Sequence, residues 1–269
     1  MTYNGINLLD VLEVAERAGL AIMEIYRSGD FGTEDKPDKT PLTKADRAAH
    51  EIIAQRLGKL TPDIPILSEE GKEIPYNERE SWDRLWIVDP LDGTKEFLKK
   101  NDEFTVNIAL VEKGEPVLGV IQVPACEESF IGLVNSGALY IEGGGKPEKI
   151  ACRTADPANL VAMRSRSHAK PAEEALHKAL NVRETVAAGS SLKFCRIAQG
   201  KADLYFRAGP TSEWDTAAGH AILQAAGGNV RTPQGPLPYN RKDIINPPFL
   251  CLGPGVPEHD YFQYLEATK

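Results

Sequence analysis

The stretch Trp86-Ile87-Val88-Asp89-Pro90-Leu91-Asp92-Gly93-Thr94-Lys95-Glu96-Phe97 constrains this chain more than any other. Its apolar start reads as a buried strand, and Pro90 and Gly93 stop that strand. The strand then delivers two carboxylates, Asp89 and Asp92, to one sheet edge or loop. Like charges so close repel unless a cation or a shared proton intervenes. The pattern therefore points to a divalent cation.

Other acidic groups follow the same logic. Glu69 and Glu70 come after the short strand Ile66-Leu67. A lone Glu-Glu pair is usually an exposed turn. Here a second strand also ends in carboxylates, so two strand ends can gather four acidic groups in one cleft. Hard cations such as Mg²⁺ take carboxylate and carbonyl oxygens together, and the turn at Pro90-Leu91 exposes a carbonyl. Asp215 starts a small-residue helix over 216–226, where its ordinary role is an N-cap. Capping and metal binding are compatible, because a carboxylate has two oxygens. Thr43-x-x-Asp46 fits a capping box for a helix over 43–60, and alone Asp46 reads as structure.

Anion-binding signals lie in the second half. Gly189-Ser190-Ser191-Leu192-Lys193 opens a helix, either as an anion site or as a plain helix start. Arg164, Arg166 and His168 follow a strand end, where they either meet a phosphate or stay solvated. His168 reads as a hydrogen-bonding group, since no Ser/Asp partner marks it as a nucleophile. Haloacid-dehalogenase-like phosphatases carry D-x-D-G-T after such a strand. Here Pro90 and Leu91 put one residue too many between the aspartates, which argues for metal ligation over an aspartyl-phosphate nucleophile. No G-x-x-x-x-G-K-[ST] sequence is present, which speaks against a P-loop NTPase.

Composition narrows the partners. The formal net charge is -8 and the pI about 5.3, which speaks against non-specific binding to a nucleic-acid polymer, since that needs a basic field. A small anionic ligand is still allowed, because metals and local Lys/Arg reverse the potential locally. Cys126, Cys152, Cys195 and Cys251 are scattered and read as free, buried thiols of a reducing compartment. No signal peptide or membrane-length apolar run is apparent, so the cytoplasm is the expected location. Peripheral membrane association is left open.

Two halves are expected. In 1–150, a helix over 6–28 turns Leu9, Leu12, Ala15, Gly19, Ile22 and Tyr26 inward. A polar loop or short hairpin over 30–41, a second helix and a short strand follow, then an exposed polar segment over 71–83. An antiparallel meander comes next, with hairpin strands 104–111 and 116–123. Strands and helices alternate in 151–269, an α/β half.

Together these residues resemble the inositol monophosphatase-like superfamily of metal-dependent, lithium-sensitive phosphatases. The resemblance rests on Ser68-Glu69-Glu70, Trp86 to Thr94, and Trp214-Asp215-Thr216-Ala217-Ala218-Gly219, in that order. Within it, the bacterial CysQ group of 3′(2′),5′-bisphosphate nucleotidases is the nearest likeness. Lys95-Glu96-Phe97, Glu103 to Leu110, Ser165 to His168, Gly189 to Cys195 and Gly209-Pro210-Thr211 carry it.

The resemblance implies a layered αβαβα sugar-phosphatase fold with its site between the halves. It implies two or three Mg²⁺ held by Glu69, Asp89, the Leu91 carbonyl, Asp92 and Asp215, with Li⁺ and Ca²⁺ as inhibitors. Thr94 and Asp46 would activate the attacking water, assisted by Glu70. Gly93, Thr94, Arg166, Ser167, His168, Gly189, Ser190, Ser191, Lys193, Arg207 and Asp215 would meet the substrate. That substrate would be adenosine 3′,5′-bisphosphate or a related phosphomonoester such as 3′-phosphoadenylyl sulfate, and the role sulfur assimilation or nucleotide recycling. The enzyme would act as a monomer or homodimer. Inositol monophosphate and fructose 1,6-bisphosphate are the alternative substrates, and a non-catalytic nucleotide or metal sensor is the rival class.

Overall fold

The computed structural model describes residues 1–35, 41–167 and 170–268. The first half opens with β1 (Thr2–Tyr3), β2 (Ile6–Asn7), α1 (Leu8–Ser28), β3 (Glu34–Asp35), β4 (Pro41–Leu42) and α2 (Lys44–Leu60). It continues with β5 (Ile66–Ser68), α3 (Tyr76–Arg79), β6 (Arg84–Asp92), α4 (Thr94–Leu98), β7 (Thr105–Glu112), β8 (Glu115–Val123), β9 (Glu128–Leu133), β10 (Gly137–Glu142) and β11 (Glu148–Ile150). Strands β11-β10-β9-β8-β7-β6-β5 form one sheet, antiparallel except where β5 pairs β6. The second half holds β12 (Val161–Ser165), α5 (Pro171–Ala179), β13 (Glu184–Ala188), α6 (Leu192–Ala198), β14 (Leu204–Arg207), α7 (Glu213–Ala225), β15 (Asn229–Thr232), β16 (Gly235–Pro236) and β17 (Phe249–Leu252). Its sheet order is β13-β12-β14-β17-β15-β16, parallel over the first three strands and antiparallel beyond.

Alternation along the strands builds the layers. Trp86 and Val88 of β6 point to one face, where they join Val11, Ala15 and Ile22 of α1 and Ala49, Ile53 and Leu57 of α2. Leu85 and Ile87 point to the other face and pack with Phe194 of α6 and Ala217, Ala218 and Ile222 of α7. That middle core also takes Met163, Tyr205, Phe249 and Cys251 from the second sheet, so both sheets clasp α6 and α7. The far face of the second sheet buries Ala162, Leu204, Phe206 and Leu250 against Ala172 and Leu176 of α5. The result is the αβαβα layering that the resemblance implies. Among the described residues, no helix is long and apolar enough to cross a membrane.

Several local expectations need correction. Leu9 faces solvent, and Leu8, Val11 and Leu12 fill the inner face of α1 instead. The polar segment over 71–83 contains α3, whose Arg79 is buried and donates to Asn240 Oδ1 at 2.9 Å. Cys126 is exposed and Cys152 half-buried, although all four thiols are free.

Candidate active site

The expectation that Pro90 stops the strand fails, and the failure builds the site. Strand β6 runs on to Asp92. Asp89 faces Asn107 and Asp92 faces Thr105, so three steps along β6 match two along β7. The extra residue is a β-bulge. Strict alternation would send residues three apart to opposite faces. The bulge absorbs one residue and keeps both carboxylates on the face toward α7. Pro90 costs no ladder bond to β5, whose pairing ends at Ser68 opposite Val88. The Leu91 N–H donates to Asp89 Oδ1 at 3.0 Å and fixes that carboxylate.

Asp215 arrives from the first turn of α7. It is not the N-cap: Ser212 is, and the Ser212 N–H donates to Asp215 Oδ2 at 2.7 Å in a capping box. Helix α7 sits in a trough of small residues that crosses four strands. Ala109 pairs with Gly119, Gly119 with Gly132, and Gly132 with Ala138. A Cβ on Gly119 would lie 2.3 Å from the Ala218 carbonyl oxygen, and one on Gly132 would lie 2.5 Å from Ile222 Cα. Missing side chains in the sheet thus let the helix backbone approach, which carries Asp215 to the aspartates of β6.

Asp89, Asp92 and Asp215 each offer an oxygen within 4.8 Å of the others'. Burial, with repulsion from neighbouring carboxylates, raises all three carboxyls: Asp89 far above its ordinary range and Asp215 to about 8, each pushed by other members of the cluster and by Glu69, and Asp92 to about 6, pushed by Glu69 and Glu96 against the pull of Lys193 and the Asn107 amide. Such a cluster is costly to ionise without a cation, and its donors are all oxygen, the donor set of a hard divalent ion. Glu69 and Leu91 line the same cavity.

Asp46 lies behind this cluster. Its Oδ2 accepts from the Thr43 N–H at 2.7 Å and the Thr43 hydroxyl at 2.6 Å, so the expected capping box is present. Its Oδ1 accepts from the Thr94 hydroxyl at 3.4 Å, and the Leu91 carbonyl lies equally far from that hydroxyl, at 3.4 Å. Burial raises the Asp46 carboxyl to about 6, with Glu70 and Glu69 adding to the rise. Glu70 is near enough to act on Asp46 but does not line the cavity.

The cavity holds about 490 Å³ between the two sheets. Its acidic floor faces a wall that includes Gly189, Ser190, Lys193, Arg207 and Lys170. Ser190 takes a left-handed φ of 40°, and its hydroxyl donates to the Glu103 carbonyl at 2.9 Å. Lys193 Nζ donates to the Ala188 carbonyl at 3.2 Å and to the Ser190 carbonyl. Burial lowers this amine to about 8, against the pull of Asp92.

Three expected substrate groups are not brought to the cavity. Arg166 is held by both Glu103 oxygens, at 2.5 and 2.6 Å. Ser167 donates its hydroxyl to Glu96 at 2.7 Å. Ser191 is buried and donates to Asn107 Oδ1 at 2.7 Å. In each case a carbonyl or carboxylate of the first half claims the donor. His168 lies outside the described residues. Lys170 and Asn107 are not among the expected site residues. Asn107 did leave a signal, a lone amide inside the apolar run Phe104 to Leu110.

Two clasped sheets, a half-buried acidic cluster and a cationic wall in one cavity fit a layered phosphatase. The sequence profile of the inositol monophosphatase family matches residues 8–260, and the chain belongs to that family. It is 46% identical over 242 residues to the 3′(2′),5′-bisphosphate nucleotidase CysQ of Escherichia coli strain K12, covering 89% of this chain and 96% of that protein. The corresponding protein of Haemophilus influenzae is 33% identical over 257 residues, covering 94% of this chain and 95% of that protein. The crystal structure of CysQ from Bacteroides thetaiotaomicron matches with a TM-score of 0.81 and 42% identity, over 93% of this chain and 98% of that one. The inositol monophosphatase of Thermotoga maritima matches with a TM-score of 0.74 and 26% identity, over 97% of both chains.

Proposed function

We propose that this protein is a Mg²⁺-dependent 3′(2′),5′-bisphosphate nucleotidase. It removes the 3′-phosphate of adenosine 3′,5′-bisphosphate, releasing AMP and phosphate, and accepts 3′-phosphoadenylyl sulfate as a related substrate. The observation that carries this reading is the sharing of one cavity by three carboxylates and by Lys193 and Arg207. A substrate with two phosphoryl groups has one for each wall. The likeness to proteins named as bisphosphate nucleotidases points the same way.

Glu69, Asp89, Asp92, Asp215 and the Leu91 carbonyl would hold the cations. Bound there, Mg²⁺ neutralises phosphate charge and makes a water acidic enough to attack. The chain's own groups do the rest. Asp46 is fixed by Thr43 through one oxygen and faces the Thr94 hydroxyl with the other. Thr94 orients the attacking water, and Asp46, raised to about 6, takes up a proton near neutral pH. Gly93 gives the phosphate close access to the backbone. Lys193, Ser190 and Arg207 hold the second phosphate and ribose, with Gly189 beside them. Li⁺ and Ca²⁺ inhibit by competing for the magnesium positions. A cytoplasmic, reducing setting suits the four free thiols.

The test compares phosphate release from adenosine 3′,5′-bisphosphate, 3′-phosphoadenylyl sulfate, inositol monophosphate and fructose 1,6-bisphosphate, with Mg²⁺ and without. The bisphosphorylated nucleotide should give the highest kcat/KM, and none should turn over without a divalent ion. A preference for either sugar phosphate would overturn the substrate reading. Binding without turnover would favour a sensor.

A further inference from the structure

We propose that Asn107 is a positioning residue that ties the Asp92 carboxylate to the start of α6, so that cation affinity depends on a hydroxyl from the other half of the chain. The proposal rests on the reading that Asp92 holds a cation.

Asn107 sits in β7, one residue past the bulge, and is buried with Thr105 and Ser191. Its Oδ1 accepts from the Thr105 hydroxyl at 3.0 Å and from the Ser191 hydroxyl at 2.7 Å. The two hydroxyl oxygens lie 2.9 Å apart, so with one proton each they share Asn107 Oδ1 and one another. Hydroxyls donate or accept, whereas an ionised carboxylate only accepts, so Asp92 sets the amide: its N–H₂ faces Asp92, where Nδ2 donates to Asp92 Oδ2 at 3.3 Å. One oxygen of Asp92 is thereby held beside the acidic cluster, to which this carboxylate contributes an oxygen.

The two hydroxyls come from opposite sides of the cavity. Thr105 belongs to the first sheet. Ser191 immediately precedes α6, two residues before Lys193 on the cationic wall. A movement of that turn therefore loosens the amide, and the amide loosens Asp92. None of the three side chains needs to touch substrate for this to matter. Partners that orient a metal ligand commonly change affinity or activity by 10–100-fold when removed.

The test titrates the metal-free protein with Mg²⁺ by calorimetry, which needs no turnover. Asn107→Ala should weaken binding by about 10–100-fold. Ser191→Ala and Thr105→Val each remove one hydroxyl and should weaken it by a smaller factor, severalfold. Thr105→Ser keeps the hydroxyl, loses the methyl and should bind as wild type. A packing role predicts the reverse order for the two Thr105 variants, with a lower Tm and unchanged Mg²⁺ affinity. Wild-type affinity in Ser191→Ala and Thr105→Val, both folded, overturns the proposal alone. Absence of Mg²⁺ binding by the wild type overturns the cation site itself.

Discussion

Asp46 Oδ1 stands 3.4 Å from the Thr94 hydroxyl, although the two residues are 48 apart in sequence. The same carboxylate closes the capping box of α2 with its other oxygen. A helix-start device is thus also the means of aiming a base at a hydroxyl. Thr94→Ala should lower kcat by about 10²–10⁴-fold, the range for a lost general-base pathway, with KM nearly unchanged. Thr94→Ser should restore most of the rate. Asp46→Asn keeps an acceptor for the cap and should lower kcat similarly without unfolding. Steady-state kinetics with circular dichroism checks all three.

The acidic cluster predicts an inverted pH dependence for the metal-free protein. Asp92 and Asp215 have folded-state values near 6 and 8, above the usual Asp range. Carboxyls raised by folding hold protons that the unfolded chain has lost, so their contribution is present at low pH and disappears as pH rises through those values. Each such proton makes stability fall by about 1.4 kcal/mol per pH unit within its window. Buried His220, lowered to about 4, acts in the opposite sense only below about 6.5, its unperturbed value. Between pH 6.5 and 8, the upper part of the Asp215 window, the Tm of the metal-free protein should therefore decrease; above 8 buried Lys193, lowered to about 8, acts in the opposite sense. Mg²⁺ should raise Tm more at pH 8 than at 6.5. A flat or rising metal-free curve would contradict the cluster's electrostatics.

Asp89→Asn separates stability from activity. It removes one charge from the repelling group while the amide oxygen can still accept the Leu91 N–H. The metal-free variant should melt at or above the wild-type temperature. Its Mg²⁺-dependent phosphate release should be nearly abolished, and its Mg²⁺-induced Tm shift should shrink. Normal turnover would remove Asp89 from the metal ligands.

Gly132→Ala tests the trough beneath α7. The new methyl would meet Ile222 Cα at 2.5 Å, and backbone cannot rotate aside as a side chain can. Overpacking of this kind costs about 1–3 kcal/mol. The helix must shift, and Asp215 moves with it. Denaturant unfolding should show the loss, and the Mg²⁺ concentration for half-maximal rate should increase.

Arg207→Ala should discriminate between ligands. A hydrogen bond to a charged group contributes about 1.5–3 kcal/mol, roughly 10–100-fold. KM for adenosine 3′,5′-bisphosphate should increase by that factor, and KM for adenosine 3′-monophosphate, which lacks the second phosphate, should change little. Equal effects on both would place Arg207 at the reacting phosphate.

Much of this molecule is legible in its sequence because it is local. Spacing of apolar residues marks α1, α2 and the β7–β8 hairpin, and Thr43-x-x-Asp46 marks a helix start. The acidic residues stand in three short motifs that resemble one family. Long-range partners are not legible in this way. Arg166 and Ser191 have the composition of anion ligands, yet Glu103 and Asn107 claim them from more than 60 residues away. Tertiary structure also decided what Asp89-Pro90-Leu91-Asp92 means. Two aspartates three residues apart lie on opposite faces of a regular strand, and only pairing with β7 creates the bulge that turns both the same way. The sequence by itself determined which groups carry the charge. The fold decided which of them share a cavity, because hydrogen-bond register and close packing between distant segments exist only in the assembled chain.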